Sequence, residues 1–200
     1  MAETSTMSHF QRVALEHASR LVNHGPTVLV TSRSADGKRR NVMAAAWSMP
    51  VEFTPPRIAI VIDKRTFTRE LVSDSGAFGI CIPGAALVDL TYAVGSSTGR
   101  DGDKFSRYGI DAMAGPALGV PLIETGCAAW LECRLIPEAH AQEAYDTCFG
   151  EVLAAAADTR LFDHGRWSFR EDNTALQTIH HLGAGNFVQA GRTLSARALT

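Results

Sequence analysis

The chain has 200 residues, 46% of them hydrophobic and 20% charged, with 17 glycines and 8 prolines. That composition belongs to a globular protein and excludes a collagen, a low-complexity linker or a disordered tail, and the length suits one domain over residues 1–200, with no room for two full catalytic domains. Nineteen basic against 21 acidic residues give a net charge of −2, so no global field exists to hold nucleic acid or an anionic membrane, and any basic site has to be local.

No stretch reaches the roughly 18 to 20 uncharged apolar residues of a membrane span. The amino terminus, acidic at Glu3, has no apolar run of the kind that marks a secretory signal, and a cytoplasmic protein is expected. Cys81, Cys127, Cys133 and Cys148 lie in or near apolar runs without a CxxC pair. They read as reduced core thiols and not as a zinc site or a disulfide framework.

In chain order, residues 9–23 place Phe10, Val13, Ala14 and Leu21 at helical spacing before the His24-Gly25-Pro26 break, which predicts a first helix. TVLVTSR and RRNVMAAAWS, joined by the Asp36-Gly37 turn signal, predict a β-hairpin. After the Pro-rich connection MPVEFTPP, the run RIAIVID predicts a short continuous apolar strand of the kind buried in a barrel or sandwich. A helix follows, capped by Thr66, with Phe67 and Leu71 at i,i+4 and a stop at Gly76.

AFGICIP is the next strand, and residues 85–94 gather Leu87, Leu90, Thr91 and Val94 on one face of a short helix. The polar, glycine-rich GSSTGRDGDKF then reads as a long loop. GCAAWLECRLIPEAHA and YDTCFGEVLAAAAD predict two long strands, and RLFDHGRWSFREDN with HHLGAGNF an irregular carboxy-terminal region. The sum is a mainly β protein, a barrel with helical decorations. Gly183-Ala184-Gly185 precedes no evident helix, so a dinucleotide-binding βαβ unit is excluded.

Three segments carry candidate chemistry. Asp63 to Thr68 brings Lys64, Arg65, Thr66 and Thr68 to a strand-to-helix junction, where free N–H groups and the positive end of the helix dipole suit a phosphate. In Gly95 to Phe105, small and hydroxyl residues let the backbone approach a ligand, with Ser97 and Gly99 among them and Arg100 and Lys104 to neutralise its charge. On Asn41 to Ser48, Ala44, Ala45 and Ala46 expose a strand backbone to a flat ligand beside Trp47.

Gly95 to Gly99 also spells G-x-S-x-G, the frame of a hydrolase nucleophile at Ser97, although a helix precedes it where that motif needs a strand. Adjacent His180 and His181 would point to opposite faces of a strand, so no metal pair is expected from them. No catalytic side chain and no metal ligand is assigned.

The ordered set NVMAAAWSMPVEFTPPRIAIVIDKRTFTREL, AFGICIP, GSSTGRDGDKF, FGEVL and HHLGAGNF, from about residue 25 to about 190, resembles the flavin reductase-like family, flavoredoxin-type members in particular. The resemblance implies an FMN-binding split β-barrel that dimerises, with the flavin near the subunit interface and NAD(P)H as co-substrate. It would lay the flavin ring along Asn41 and Ala44 to Ser48 and set the phosphate at Lys64, Arg65, Thr66 and Thr68. Ser97, Gly99, Arg100 and Lys104 would close over the cofactor.

One departure stands out: many relatives place an Asp-His pair before the Gly-Glu-Val segment, where this chain has Ala144-Tyr145. The expected activity is an FMN-dependent oxidoreductase passing electrons from NAD(P)H to free flavin, a metal complex or a partner protein. An FMN electron carrier without its own NAD(P)H site, a serine hydrolase at Ser97 and a pyridoxamine-phosphate-oxidase-like activity on a related barrel are the rival readings.

Overall fold

Residues 9–18, 21 and 25–198 are described by the structure, a computed structural model. The chain begins with β1 (Phe10–Arg12) and α1 (Leu15–Ala18), then β2 (Val28–Arg33), β3 (Arg40–Ala45), β4 (Ser48–Phe53), β5 (Pro56–Val61), α2 (Phe67–Ser75) and β6 (Ala77–Pro83). A 3-10 turn at Ala85–Leu87 leads into α3 (Val88–Gly95), and a second at Gly99–Asp101 into α4 (Lys104–Tyr108). The small pair β7 (Met113–Ala114) and β8 (Pro121–Leu122) precedes β9 (Cys127–Ile136), α5 (Ala139–Tyr145) and β10 (Thr147–Asp158). Two hairpins finish the fold, β11 (Phe162–Asp163) with β12 (Arg166–Trp167) and β13 (Ile179–Gly183) with β14 (Asn186–Gln189).

The main sheet runs β3-β2-β6-β9-β10-β5-β4, all antiparallel, with β1 attached to β10. Its two outermost strands, β3 and β4, are joined by Ala46 and Trp47 alone. Three peptide steps span at most about 11 Å, so the sheet has to curl until its ends nearly meet. No ladder joins β3 to β4, and the result is a barrel split along one seam.

Burial explains why the strand sequences are continuously apolar. Val28, Val30, Ile58, Ile60, Ile80 and Ile82 fill the barrel interior. Their neighbours Leu29, Val42 and Cys81 point outward, into a second core completed by Val94, Phe105 and Leu122. Both faces of β2 and β6 are therefore covered, and polar alternation disappears.

Several sequence expectations hold as drawn. The Asp36-Gly37 turn joins β2 to β3, with Gly37 at φ +73°. Helix α2 starts at its Thr66 cap, which accepts from the Arg69 N–H, and ends at Gly76, whose φ of +68° lets its N–H reach Val72 O. The four cysteines are buried and unpaired, and burial pushes the Cys81 thiol up to about 12.

Others are corrected. The predicted first helix is a strand followed by one turn, since Phe10–Arg12 pairs with Ala156–Asp158 on the half of β10 that β5 leaves open; residues 19, 20 and 22–24 lie outside the described residues. The Pro-rich connection is mostly β4. Residues 138–141 leave the predicted strand for α5, and Asp103 ends the glycine-rich loop early by accepting from the Phe105 N–H at the start of α4. The carboxy-terminal HHLGAGNF is a regular hairpin, with Gly183, Ala184 and Gly185 all at positive φ in its turn. Among the described residues, no helix is long and apolar enough to cross a membrane.

Candidate functional site

A cavity of about 260 Å³ opens where β3, the start of α2 and the 95–104 segment converge. Asn41 and Met43 form its floor, Arg65 to Thr68 one wall, and Ser97 to Arg100 the other, with Lys104 behind. Thr68 is fully buried, and its hydroxyl accepts from Asn41 Nδ2 at 2.9 Å. That bond fixes the amide and leaves Asn41 Oδ1, itself buried, without a partner. A buried acceptor of this kind costs free energy until a donor arrives.

The glycine at 99 is required by space. A Cβ there would lie 2.2 Å from Asn41 Oδ1 and 2.8 Å from the Phe67 ring, so only glycine lets the loop close over Asn41. Beside it, the Arg100 guanidinium donates to Glu70 Oε2 (3.3 Å) and to Arg65 O (3.2 Å), and Thr98 Oγ1 accepts from Arg100 N. The first two N–H groups of α2, at Phe67 and Thr68, have no partner within the helix by position and supply the positive end of its dipole.

Not every predicted phosphate ligand faces this cavity as a donor. Lys64 turns away: its ammonium donates to Glu143 O and sits 3.9 Å from Asp146 Oδ1, at the α5–β10 junction. Thr66 Oγ1 donates to Asp63 O and accepts from Arg69 N, so its hydroxyl serves the helix cap. Arg65 lines the cavity but forks onto Asp63, which it holds down to about 2 through side-chain and backbone hydrogen bonds.

Lys104 is buried, and its Nζ donates to Val42 O (2.9 Å) and Val94 O (2.8 Å). Burial pushes its pKa down to about 8, with Arg107 adding repulsion. The ammonium therefore ties β3 to α3, with one N–H left for the cavity that it lines.

Ser97 Oγ donates to Ala93 O (2.8 Å) and accepts from the Tyr108 hydroxyl (3.2 Å). It follows helix α3 directly. A hydrolase nucleophile needs an imidazole at its hydroxyl and a strand before it; this serine has a phenol and a helix, and the hydrolase reading is set aside. Among the described residues, no group of three or more His, Cys, Asp or Glu side chains is placed to hold a metal ion.

A second cavity, about 190 Å³, adjoins the first at Gly95, which lines both. Ala44, Ala45 and Ala46 form one side and Tyr92 with Ser96 the other, and His181 and Phe187 of the terminal hairpin close the end. A Cβ on Gly95 would come within 3.1 Å of the Ala44 Cβ, so α3 approaches β3 here as closely as side chains permit. The hairpin seats on Tyr92 through Gly185, and the His181 and Phe187 rings lie 5.1 Å apart. Trp47 stands outside, 73% exposed, and Ser48 Oγ is buried without a partner.

Tyr92, His181 and Phe187 were not singled out from sequence as ligand-facing. The alternation of IHHL and NFVQ about a Gly-Ala-Gly turn was the available hairpin signal. Nothing local showed that the hairpin would fold back onto β3.

Comparison with known proteins agrees with this fold. Residues 20–171 match the family model described as flavin reductase like domain. A protein of Escherichia coli K12, YddH, described as uncharacterized, is 60% identical over 190 residues, covering 95% of this chain and all of that protein. Among solved structures, an FMN-binding domain of a flavin reductases-like enzyme from Shewanella baltica superposes with a TM-score of 0.87 at 39% identity, covering 95% of this chain and 98% of that one. Flavoredoxin of Desulfovibrio vulgaris superposes with a TM-score of 0.74 at 26% identity, covering 86% and 90%. By the extent of the family match and by its split barrel, this chain belongs to the flavin reductase-like family.

Proposed function

We propose that the protein is an FMN-dependent oxidoreductase that takes reducing equivalents from NAD(P)H and passes them to an acceptor. The observation that carries the reading is the pair of cavities meeting at Gly95, one basic and rich in hydroxyls, the other flat and walled by alanines. The residues fit FMN: Arg100, Thr98 and the N–H groups opening α2 are donors for a phosphate, and the unpartnered Asn41 Oδ1 is an acceptor for a ribityl hydroxyl or a ring N–H. When bound, FMN supplies the capacity to accept a hydride and release its electrons singly or as a pair.

The protein's own contribution is positional. Gly99 and Gly95 allow close approach of backbone, Asn41 is aimed by Thr68, and Lys104 places a buried positive charge behind the ligand. Ala44 to Ala46 offer a surface without bulky side chains, and Tyr92, His181 and Phe187 line its far end. No side chain is required as an acid or base for hydride transfer to the flavin.

The reading includes a homodimer with the flavin near its interface. Trp47, Met49, Val51 and Phe53 are all exposed along the edge strand β4 and its approach, an apolar stripe continuous with the alanine wall. It also includes the reducing cytoplasm, which suits four buried free thiols.

A second reading rests on Tyr145, 66% exposed at the end of α5, where the family resemblance implies a histidine. In that case the protein is an electron carrier, reduced by a partner protein. The test begins with the absorption spectrum of freshly purified protein and mass identification of the released cofactor. Anaerobic mixing with NADH and NADPH follows. Bleaching by either donor supports the reductase; a flavin that stays oxidised with both and bleaches with dithionite leaves the carrier; a colourless protein that does not take up FMN overturns both.

A further inference from the structure

One polar contact of the 95–104 wall comes from a residue outside the set that lines the cavity, Tyr108. It closes α4, whose first residue, Lys104, is anchored on Val42 O and Val94 O and whose end is stopped by Gly109 at φ +63°. The ring is half-buried against the outer core. Helix and packing together hold the phenol in place, and its hydroxyl meets Ser97 Oγ at 3.2 Å.

Counting hydrogens fixes the direction of that contact. Ala93 O, near the end of α3, can only accept, and Ser97 Oγ lies 2.8 Å from it. A serine has one hydroxyl hydrogen, which is spent on this carbonyl, so the phenol has to donate to Ser97. One of the two lone pairs on Ser97 Oγ is then taken, and what the serine has left for the cavity that it lines is a single acceptor position. Asn41 reaches the same condition by another route: Nδ2 is spent on Thr68, and Oδ1 is left over. Floor and wall each offer an acceptor and no hydrogen. A phosphate dianion has no hydrogen to give them, whereas a chain of hydroxyl groups has one for each.

We infer that Tyr108 is a positioning residue for the ligand: by donating to Ser97 it keeps that serine an acceptor, and Ser97 with Asn41 selects the hydroxyl groups of the ribityl chain. The inference rests on the FMN reading and deepens it. Without the phenol, Ser97 Oγ loses one of the two bonds that aim it, so selection for a hydroxylated chain weakens while the phosphate donors at Arg100 and the start of α2 stay in place.

The experiment uses the full chain and reads binding, not turnover. Two ligands are titrated by flavin fluorescence: FMN, and a 5-phosphopentyl flavin that keeps the ring and the phosphate but has no hydroxyl on its five-carbon chain. The proteins are wild type, Tyr108→Phe, Ser97→Ala and the double variant, each checked by circular dichroism. Wild type should prefer FMN by about tenfold or more. Tyr108→Phe should weaken FMN by about three- to tenfold, the worth of one neutral hydrogen bond, and leave the pentyl analogue within about twofold. The double variant should be no weaker than Ser97→Ala alone, because the phenol acts through the serine. Ser97→Ala removes the acceptor itself and gives the same ligand comparison should Tyr108→Phe not fold.

Equal losses for both ligands would show that the phenol only supports α4, and the inference fails alone. It fails alone also if wild type binds the two ligands equally, if FMN affinity is unmoved in Tyr108→Phe, or if the two substitutions add. If wild type does not bind FMN, the flavin reading fails and takes the role of Tyr108 with it.

Discussion

At the basic end of the cleft, around Asn41, Thr66 and Gly99, most polar groups are already engaged before any ligand arrives: Thr66 in the helix cap, Ser97 between Ala93 and Tyr108, Arg65 on Asp63, Lys104 on two carbonyls. At the alanine end, the strand is interrupted between β3 and β4, Ser48 Oγ has no partner and Trp47 stands in solvent. The first end is pre-organised, so binding there depends on shape and on a few aimed donors. The second is open, with a hydroxyl and an indole that no group among the described residues engages. The expected effects below differ in size for that reason.

The largest falls on the pre-organised end. Gly99→Val sets side-chain atoms against Asn41 Oδ1 and Phe67, both held by packing. Overpacking of a tight contact costs about 1–3 kcal/mol, and FMN affinity should fall by about 100-fold while the circular dichroism spectrum is retained. Equal affinity would show that the loop does not close over the ligand. Next comes Arg100→Ala, with an expected loss of about 1.5 to 3 kcal/mol, the range for a charge-assisted hydrogen bond. Arg65→Ala should have a smaller effect, because its guanidinium is already committed to Asp63 and is 87% exposed.

A pH titration sharpens the contrast. With its folded pKa pushed down to about 8 against an ordinary 10.5, Lys104 releases its proton in the folded protein before it does so unfolded. Between those values the unfolded chain binds more protons, so stability should rise with pH across pH 8 to 10.5. Flavin affinity should move the opposite way, falling severalfold as the positive charge behind the anion is lost. The neutral amine keeps two N–H donors, enough for Val42 O and Val94 O, so the two trends are separable. Lys104→Met should flatten both curves; a surviving pH dependence of affinity would assign it to another group.

The basic end was also the more legible in sequence. Thr66, Phe67 and Gly76 carry capping and spacing signals that act within one helix, and Asp36-Gly37 fixes its hairpin locally. Residue type alone named Lys64, Thr66 and Lys104 as donors, but what decided their direction was non-local: Glu143 and Asp146 draw Lys64 away, and carbonyls of β3 and α3 capture Lys104. The split of the barrel came from the family resemblance alone, because by its residues RRNVMAAAWS reads as one strand. Its break at Ala45 follows from closing the sheet, a constraint set by strands as distant as β10. Tyr92, His181 and Phe187 reach the cleft only through the same closure.

The smallest effect tests the open end. Ser48→Ala removes a buried hydroxyl that has no partner. An unsatisfied buried polar group costs about 1–3 kcal/mol relative to one that is paired, so its deletion should leave the stability of the ligand-free protein unchanged or slightly raised in a denaturant titration. If the hydroxyl finds its partner in the flavin ring, the same change should weaken FMN by about 0.5–1.5 kcal/mol, the net worth of one neutral hydrogen bond. Opposite signs for stability and affinity would mark Ser48 as a group held unsatisfied for a ligand. Loss of stability together with unchanged affinity would instead mean that its partner comes from a second copy of the chain or from water at the seam.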